Sequence, residues 1–235
     1  MNQWLLLSDR EKIFSRRPLT DCVNTVGIDS ENNMMNCEEQ NKEEKYPELP
    51  SCPMVQEWTY TMRRSMQEIV PNLFLGPYSS AVKSKLDALE SSGITHIICI
   101  RHRLEAHYIR PNFPDKFRYL VLDIADSPME NIISHFGRVK MFIDDCLHNF
   151  GKCLVHGNAG ISRSAAFVLG YLMQKYGLTL KRAFQVVQSR RFCINPNEGF
   201  LAQLIEFEPI YRAQRIFQNN GQHSEIFRNK RPLDC

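Results

Sequence analysis

Residues 155–164 read Val-His-Gly-Asn-Ala-Gly-Ile-Ser-Arg-Ser, and this stretch joins two runs of different periodicity. The run before it, Lys152 to His156, is short and largely apolar, which predicts a buried strand. The run after it, Ser164 to Tyr176, has helical spacing and is followed by Gly177, a residue type that commonly closes helices. The stretch is therefore predicted to be a loop that leaves a strand and enters the first turn of a helix.

A loop of this kind is suited to binding a phosphate group. It directs several backbone N–H groups at one point, and the helix dipole adds partial positive charge there. Gly160 permits a tight turn, and the planar guanidinium of Arg163 can hold two phosphate oxygens. The spacing G-x-x-G-x-x-R is weak by itself, but its strand–loop–helix setting strengthens it. The predicted phosphate-binding residues are Gly157, Asn158, Ala159, Gly160, Ile161, Ser162 and Arg163.

The rest of the chain alternates apolar runs with amphipathic ones. This alternation predicts an α/β domain with a central, mostly parallel sheet flanked by helices. Strands are expected at 73–76, 96–100, 119–122 and 152–156, and helices at 79–91, 131–148, 164–176, 180–189 and from about 197. Pro209 is expected to kink that last helix or end it near Glu208.

Composition divides the 235 residues into three parts. Residues 1–54 are predicted to be a flexible, acidic lead-in, 55–212 the domain, and 213–235 a polar and basic tail. Residues 1–50 hold ten acidic and six basic side chains, whereas residues 51–235 hold 16 acidic and 23 basic ones. The total of +3 gives no argument for binding nucleic acid or a membrane. No cofactor is indicated.

The eight cysteines raise the question of disulfides or a metal. No C-x-x-C motif or paired Cys/His cluster occurs, so a metal site is not expected. The early apolar run, Trp4 to Leu7, is too short for a signal peptide, and no run approaches the roughly 20 residues of a membrane span. The thiols are therefore expected to be reduced, in the cytoplasm and the nucleus.

The loop resembles the signature of the dual-specificity branch of the protein tyrosine phosphatases, His-Cys-x-x-Gly-x-x-Arg-Ser. Residues 68–76 and 93–98 are similar to the family's opening strands, and residues 190–200 to its closing motif. The resemblance covers about residues 56–212. It implies the phosphatase α/β fold, and it places Asp126, 31 residues before Gly157, where the family has its general acid.

One departure decides what the resemblance implies for activity. Gly157 stands where the family has its nucleophilic cysteine, and glycine has no group that can attack phosphorus. Cys153 is expected to be a small buried hydrophobe on the strand, and Ser162 resembles a loop hydroxyl that assists rather than attacks. The resemblance therefore implies an inactive protein, a pseudophosphatase, in which Asp126 is a vestigial acid or a surface turn residue.

Two features outside the phosphate-binding residues have more than one interpretation. His156 can be a base, but we favour a structural role in which it holds the loop in shape, and Ser164 is also assigned a supporting role. Arg190 and Arg191 either extend a phosphate-binding surface or form a solvated pair at the end of a helix.

Within the family, the chain resembles a non-catalytic, interacting member. It is carried by residues 57–60, 155–166 and 191–197, and it implies a competitor or anchor in signalling. The partners implied are phosphorylated proteins of the MAP kinase type, or an F-box subunit of a ubiquitin ligase. Two alternatives remain: a protein-interaction scaffold whose phosphate site is idle, and a residual phosphoprotein phosphatase.

Overall fold

A five-stranded sheet organises the protein in the computed structural model, which describes residues 46–51 and 57–228, with side chains to residue 217. Its strands are β1 (Gln67–Val70), β2 (Leu73–Pro77), β3 (Ile94–Arg101), β4 (Arg118–Asp123) and β5 (Lys152–Gly157). The spatial order is β1-β2-β5-β3-β4. Strands β1 and β2 form an antiparallel hairpin, and the other neighbours are parallel. The predicted mostly parallel sheet is confirmed.

Helices flank this sheet as the sequence predicts. The described part contains α1 (Leu86–Ser91), α2 (Ile133–His148), α3 (Arg163–Tyr176), α4 (Leu180–Arg190) and α5 (Glu198–Arg228). Short 3-10 turns occur at Tyr60–Arg64, Tyr78–Ser80, Lys83–Lys85 and Arg103–Glu105. The helix predicted over 79–91 is wrong in its first half, which consists of two of these turns.

Helix α3 lies at the centre of the core. Every residue from Arg163 to Met173 is buried. The helix ends where Gly177 takes a left-handed φ of 65°, which is the predicted closure. Glycine at position 170 allows α3 to pack closely against α2, because a Cβ there would lie only 2.7 Å from Cε1 of Phe136. The helix that follows the loop is therefore fixed by its packing against the core.

The parallel strands place the site at one edge of the sheet. Strands β2, β5, β3 and β4 all run in the same direction, so their carboxyl ends lie together. The segments that follow them are 78–80, 158–162, 102–109 and 124–130. Ligands of open α/β sheets bind at this edge, and the chain gathers its polar loop residues there.

Helix α5 continues beyond the point where the sequence predicts its end. It passes through Pro209 to Arg228, so the predicted end near Glu208 is wrong and the predicted tail at 213–235 begins inside a helix. Proline removes one backbone hydrogen bond, but the buried stripe of Phe200, Leu204, Phe207 and Tyr211 holds the helix on the core. The Tyr211 hydroxyl also donates to the Leu178 carbonyl at 2.9 Å. Tertiary packing therefore outweighs the local signal.

The ends of the chain are described only in part. Predictions for residues 1–45, 52–56 and 229–235 lie outside the described residues. Within 46–51, Tyr46 and Leu49 pack against the main core, so this end of the predicted flexible lead-in is docked on the domain. Across the described ranges, we find no helix with the length and apolarity that a bilayer span requires.

Candidate functional site

A pocket of about 400 Å³ opens above the 157–163 loop, and we call it the loop pocket. All seven residues predicted to bind phosphate line it. The complete lining is Asp126, Gly157, Asn158, Ala159, Gly160, Ile161, Ser162, Arg163, Ser164, Asn195 and Asn197. Sequence reasoning missed the two asparagines.

The first turn of α3 faces this pocket without a side-chain cap. Ser162 is the N-cap residue, but its hydroxyl makes no capping bond. Instead it donates to Oδ1 of Asp126 at 2.6 Å. The first N–H groups of an α-helix have no partner within the helix, so α3 presents free donors and the positive end of its dipole to a ligand.

Gly160 fixes the shape of the loop. Its φ is +68°, and a Cβ there would collide with the carbonyl group of Gly76 on β2. A residue with a side chain would strain both the backbone and this contact. The tight turn predicted at Gly160 is confirmed.

Arg163 is held by a carboxylate that sequence reasoning did not find. Its Nη1 donates to Oε2 of Glu105 at 2.6 Å and its Nη2 to Oε1 at 3.2 Å. A further bond runs from Nη1 to the Ile124 carbonyl at 3.2 Å. The Arg163 side chain is 7% exposed and that of Glu105 16%. The pair is therefore largely desolvated and bidentate, which is a strong geometry for arginine and carboxylate.

Glu105 is charged in this setting. Burial opposes its ionisation, but the Arg163 guanidinium, the His102 N–H group and the Tyr108 hydroxyl outweigh it and lower the pKa of Glu105. The side-chain amide of Asn158 also donates to Oε1, at 3.4 Å. A buried charge is usually paired with an opposite charge, and Glu105 is that partner for Arg163. Together with the parallel topology, this tendency points to acidic residues after β2, β3 or β4, but it does not single out Glu105.

Asp126 is an exposed residue that also lines the loop pocket. Its Oδ1 accepts from Ser162 and, at 2.9 Å, from the side-chain amide of Asn197. Its Oδ2 lies 3.9 Å from Nε of Arg163, and its side chain is 42% exposed. Asn197 is in turn fixed by a bond from its N–H group to the Ser162 hydroxyl at 3.2 Å. Three polar groups therefore hold this partly exposed carboxylate at the pocket wall, in the bend that follows β4.

Gly157 ends β5 at the floor of the pocket and carries no side chain. A Cβ placed there would lie 3.5 Å from the Ile100 carbonyl oxygen and 3.5 Å from Oγ of Ser164, which are ordinary contacts. The Ser164 hydroxyl is buried and makes no hydrogen bond among the described residues. The floor therefore has room for a small side chain and an unused hydroxyl beside it.

His156 is a neutral, buried group next to Gly157. Burial lowers its pKa to about 4, with an opposing effect from the Gly157 carbonyl. Nδ1 lies 3.3 Å from that carbonyl oxygen, and Nε2 has no partner within the described ranges. The ring thus contacts Gly157, the first residue of the 157–163 loop.

Arg191 contradicts both interpretations given for the arginine pair at the end of α4. It is completely buried, so it is neither solvated nor exposed to a phosphate. It donates from Nε to the Gly160 carbonyl at 2.8 Å and from Nη2 to the Ala159 carbonyl at 3.1 Å. The same guanidinium donates to the carbonyls of Arg63 and Ser65 at 3.0 and 2.9 Å and to the Gln67 side chain. A planar group with five donors thus supports the loop from behind.

Cys153 is a buried thiol, as predicted. It is inaccessible to solvent in β5. Burial raises the pKa of this thiol well above its usual value, and the neighbouring Cys146 adds to the effect. A thiol that remains protonated and inaccessible is not a nucleophile.

The fold and the loop now define the class of protein. A family model described as dual specificity phosphatase, catalytic domain, matches residues 73–210. This chain belongs to the dual-specificity phosphatase family.

More specific similarities lie within that family. The human and mouse proteins named serine/threonine/tyrosine-interacting protein are 62% identical over 175 residues, which cover 74% of this chain and 78% of theirs. The crystal structure of human tyrosine phosphatase-like serine/threonine/tyrosine-interacting protein is similar with a TM-score of 0.62 and 65% identity, over 63% of this chain and 98% of that one. The Arabidopsis thaliana dual specificity protein phosphatase 1B is 36% identical over 145 residues, 62% of this chain and 83% of that protein.

Proposed function

We propose that this protein is a pseudophosphatase that binds phosphorylated residues of other proteins without hydrolysing them. One observation carries the proposal: the loop pocket has its donors and its arginine in place, while the residue at its floor, Gly157, has no side chain. The relatives named serine/threonine/tyrosine-interacting protein support an interacting role by their names.

The absence of a nucleophile argues against catalysis. Dephosphorylation in this family requires a cysteine thiolate that attacks phosphorus while the leaving oxygen is protonated by an acid. In proteases without their nucleophile, the remaining machinery accelerates reactions by about 10³–10⁴-fold. Hydrolysis of phosphate monoesters can require about 10²¹-fold. Binding groups alone fall short by many orders of magnitude.

The same absence leaves phosphate binding possible. A thiolate at position 157 would place a negative charge at the floor of an anion pocket, and glycine removes it. The uncapped N–H groups of α3 and Nε of Arg163 remain as donors. Hydrogen bonds to charged groups contribute about 1.5–3 kcal/mol each, so a few of them give a useful affinity.

The two acidic residues beside Arg163 favour a second candidate, a scaffold whose phosphate site is idle. Glu105 neutralises Arg163, and Asp126 adds a further carboxylate at 3.9 Å from the guanidinium. A phosphate dianion would have to be accepted next to two carboxylates. If the repulsion prevails, partners bind elsewhere on the surface and ignore phosphorylation.

Calorimetric titration with phosphotyrosine and phosphothreonine peptides tests the first candidate against the second. We expect binding by the wild type, at least tenfold weaker binding by Arg163→Ala, and no change in Arg138→Ala, which removes an exposed charge from α2. Equal affinity for phosphorylated and unphosphorylated peptides, or an unchanged Arg163→Ala, would favour the scaffold.

The substitution Gly157→Cys tests the proposed reason for inactivity. The floor accepts a Cβ at ordinary distances, and the free Ser164 hydroxyl lies beside it. We expect the variant to hydrolyse a chromogenic phosphate ester that the wild type leaves intact. Gly157→Ser is the matched control and should be inactive, because its hydroxyl is not ionised. A folded but inactive Gly157→Cys would reveal a second defect.

The finer part of the proposal concerns partners. By resemblance, these are phosphorylated MAP kinases or an F-box subunit of a ubiquitin ligase, met in the cytoplasm and the nucleus. Pull-downs from a lysate, with and without phosphatase treatment, compare the wild type with Arg163→Ala. Partners of the loop pocket disappear after either change, whereas a partner held elsewhere survives both.

A further inference from the structure

Helix α5 carries apolar side chains on the face that points away from the core. Its inner face is the buried stripe from Phe200 to Tyr211. On the outer face, exposed apolar residues recur at steps of three or four, with two more beside them: Ala202, Ile205, Pro209, Ala213 and Ile216, then Ile210 and Phe217. A helix on the surface of a domain normally has polar residues there. We call this exposed set the α5 stripe, and its composition is that of a contact surface.

The α5 stripe is complementary to itself when two copies of the helix lie antiparallel. If Pro209 lies opposite Pro209 of a second copy, then Ala202 lies opposite Ile216, because the two are equally far from position 209. Ile205 and Ala213 are opposite each other for the same reason. Each small side chain thus faces a large one, which allows the two helices to interdigitate.

The charges at one edge of the stripe also fit this arrangement. Glu208 and Arg212 form an ion pair at 3.0 Å within one chain. A two-fold axis at position 209 brings the same edge of both helices together, and Arg212 then comes within one helical turn of Glu208 of the second copy. Four charges of alternating sign meet around the axis, so the contact is attractive at this edge.

A groove lies at the other edge of α5, and we call it the side groove. Its volume is about 460 Å³, and its lining consists of Met129, Asn131, Ile133, Ser134, Gln203 and Glu206. Phe217 lies on the same edge of the helix as Gln203 and is 76% exposed. The antiparallel arrangement places Phe217 of the second copy opposite position 201, within one turn of Gln203. The exposed ring therefore reaches a groove that has Met129 and Ile133 in its wall.

We propose that this protein associates with a second copy of itself through an antiparallel, two-fold contact between the α5 stripes, in which Phe217 of each copy enters the side groove of the other. Such a contact is isologous, so it stops at a dimer. The stripe is about 22 Å long at 1.5 Å per residue, which is short for a standard interface. We expect a weak dimer with a dissociation constant on the order of 10 µM. This inference does not depend on the loop pocket.

Sedimentation velocity of the full chain, from well below to well above that concentration, tests the dimer. The proteins are the wild type, Ile216→Glu, and the control Met141→Glu, which adds the same charge at an exposed apolar position on α2. We expect the wild type and the control to change from monomer to dimer as the concentration rises. Ile216→Glu should bind itself at least tenfold more weakly, because it places a charge in the centre of the contact. Both substitutions are at exposed positions, and circular dichroism checks that all three proteins are equally helical.

A pair of complementary variants tests the antiparallel register. Ala202→Lys and Ile216→Glu should each associate more weakly than the wild type. In an equimolar mixture, the introduced lysine of one copy lies opposite the introduced glutamate of the other, and the second half of the contact keeps Ala202 opposite Ile216. The mixture should therefore associate more tightly than either variant alone.

Three results would overturn the proposal. One is a wild type that stays monomeric over the whole concentration range. Another is an equal loss of association in Ile216→Glu and Met141→Glu, which would mean unspecific attraction between apolar surfaces. The third is a mixture that associates no more tightly than its components, which would show that positions 202 and 216 do not face each other.

Discussion

Two buried arginines hold opposite sides of the same loop, and they do so by different chemistry. Arg163 lies at the pocket side and is neutralised by the carboxylate of Glu105. Arg191 lies behind the loop and donates to four carbonyl groups and one side-chain amide, with no carboxylate among these partners. One arginine is matched in charge, and the other is matched only in hydrogen bonds.

This difference gives the two arginines separate roles: Arg163 is available to a ligand, and Arg191 supports the loop. A phosphate can compete with Glu105 for Arg163, because both are anions that take the same donors. No ligand reaches Arg191, which is inaccessible to solvent. The loop thus has a replaceable partner on one side and a permanent one on the other, and substitutions on the two sides should have opposite signatures.

The largest expected effect is on the supporting side. Arg191→Met keeps an apolar stem but leaves five acceptors without their donor. A buried acceptor without a donor costs about 1–3 kcal/mol, but four of these five bonds are only partly buried, and water can replace the lost donor there. We expect the free energy of unfolding to fall by about 3–5 kcal/mol, close to the loss measured when buried charge networks are broken. Urea denaturation followed by circular dichroism measures it. Arg190→Met is the matched neighbour and should lose less than about 1 kcal/mol; equal losses would remove the distinction between the two arginines.

His156, on the strand leading into the loop, gives the next effect through pH. Above pH 6.5 the ring is neutral in both states, so its titration does not affect stability. Between pH 6.5 and about 4, His156 is protonated in the unfolded chain but stays neutral in the folded protein. Stability should therefore fall as the pH decreases through this window, by up to about 3 kcal/mol. His156→Asn keeps a donor for the Gly157 carbonyl and should show a flatter fall between about pH 7 and pH 5; an unchanged slope would contradict a buried neutral ring.

Glu105→Gln tests the partner of Arg163, on the pocket side of the loop. Glutamine keeps an acceptor for Arg163 but removes the charge, so we expect stability to fall by about 1–2 kcal/mol while phosphopeptide affinity rises severalfold. Because the pKa of Glu105 is lowered in the folded protein, the stability difference should shrink as the pH falls through that pKa. The control is Asp123→Asn, which frees Arg101 instead. It should leave affinity unchanged, and a loss of affinity in Glu105→Gln would mean that Glu105 mainly orients Arg163.

Asp126→Asn should have the smallest effect on stability, below about 0.5 kcal/mol, because the carboxylate is partly exposed and asparagine keeps an acceptor for Ser162 and Asn197. Removing its charge from the mouth of an anion pocket should raise phosphopeptide affinity modestly in the same titration. Asp145→Asn, whose charge faces Arg118 on β4, serves as the control. Weaker binding by Asp126→Asn would show that the carboxylate assists the ligand.

The strand–loop–helix unit was predictable because its signals are local. The apolar run of β5, Gly160 and Gly177 each specify a conformation from neighbouring residues alone. Glu105 and Asn197 were not predictable, because they lie 58 and 35 residues in sequence from their partners Arg163 and Ser162 and meet them only through tertiary packing. Arg191 follows the same rule: its sequence setting at a helix end indicates solvent, and its position behind the loop follows from packing.

Helix α5 shows the converse error. Pro209 is a strong local signal for the end of a helix, and the buried stripe of α5 overrides it. Hydrophobic spacing was the better guide there, since Phe200, Leu204, Phe207 and Tyr211 already have helical periodicity on both sides of the proline.

The contacts of Arg191 with residues far away in sequence have a consequence for how the protein folds. Three of its five acceptors lie on Arg63, Ser65 and Gln67, about 125 residues earlier in the chain and before residue 73, where the match to the family begins. Proteins with many contacts between residues so far apart in sequence fold slowly, and these bonds form only when the two segments have come together. The loop should therefore gain its final shape only after the first strand of the domain has docked, and a fragment trimmed to residues 73–210 should fold with a mobile, poorly binding loop.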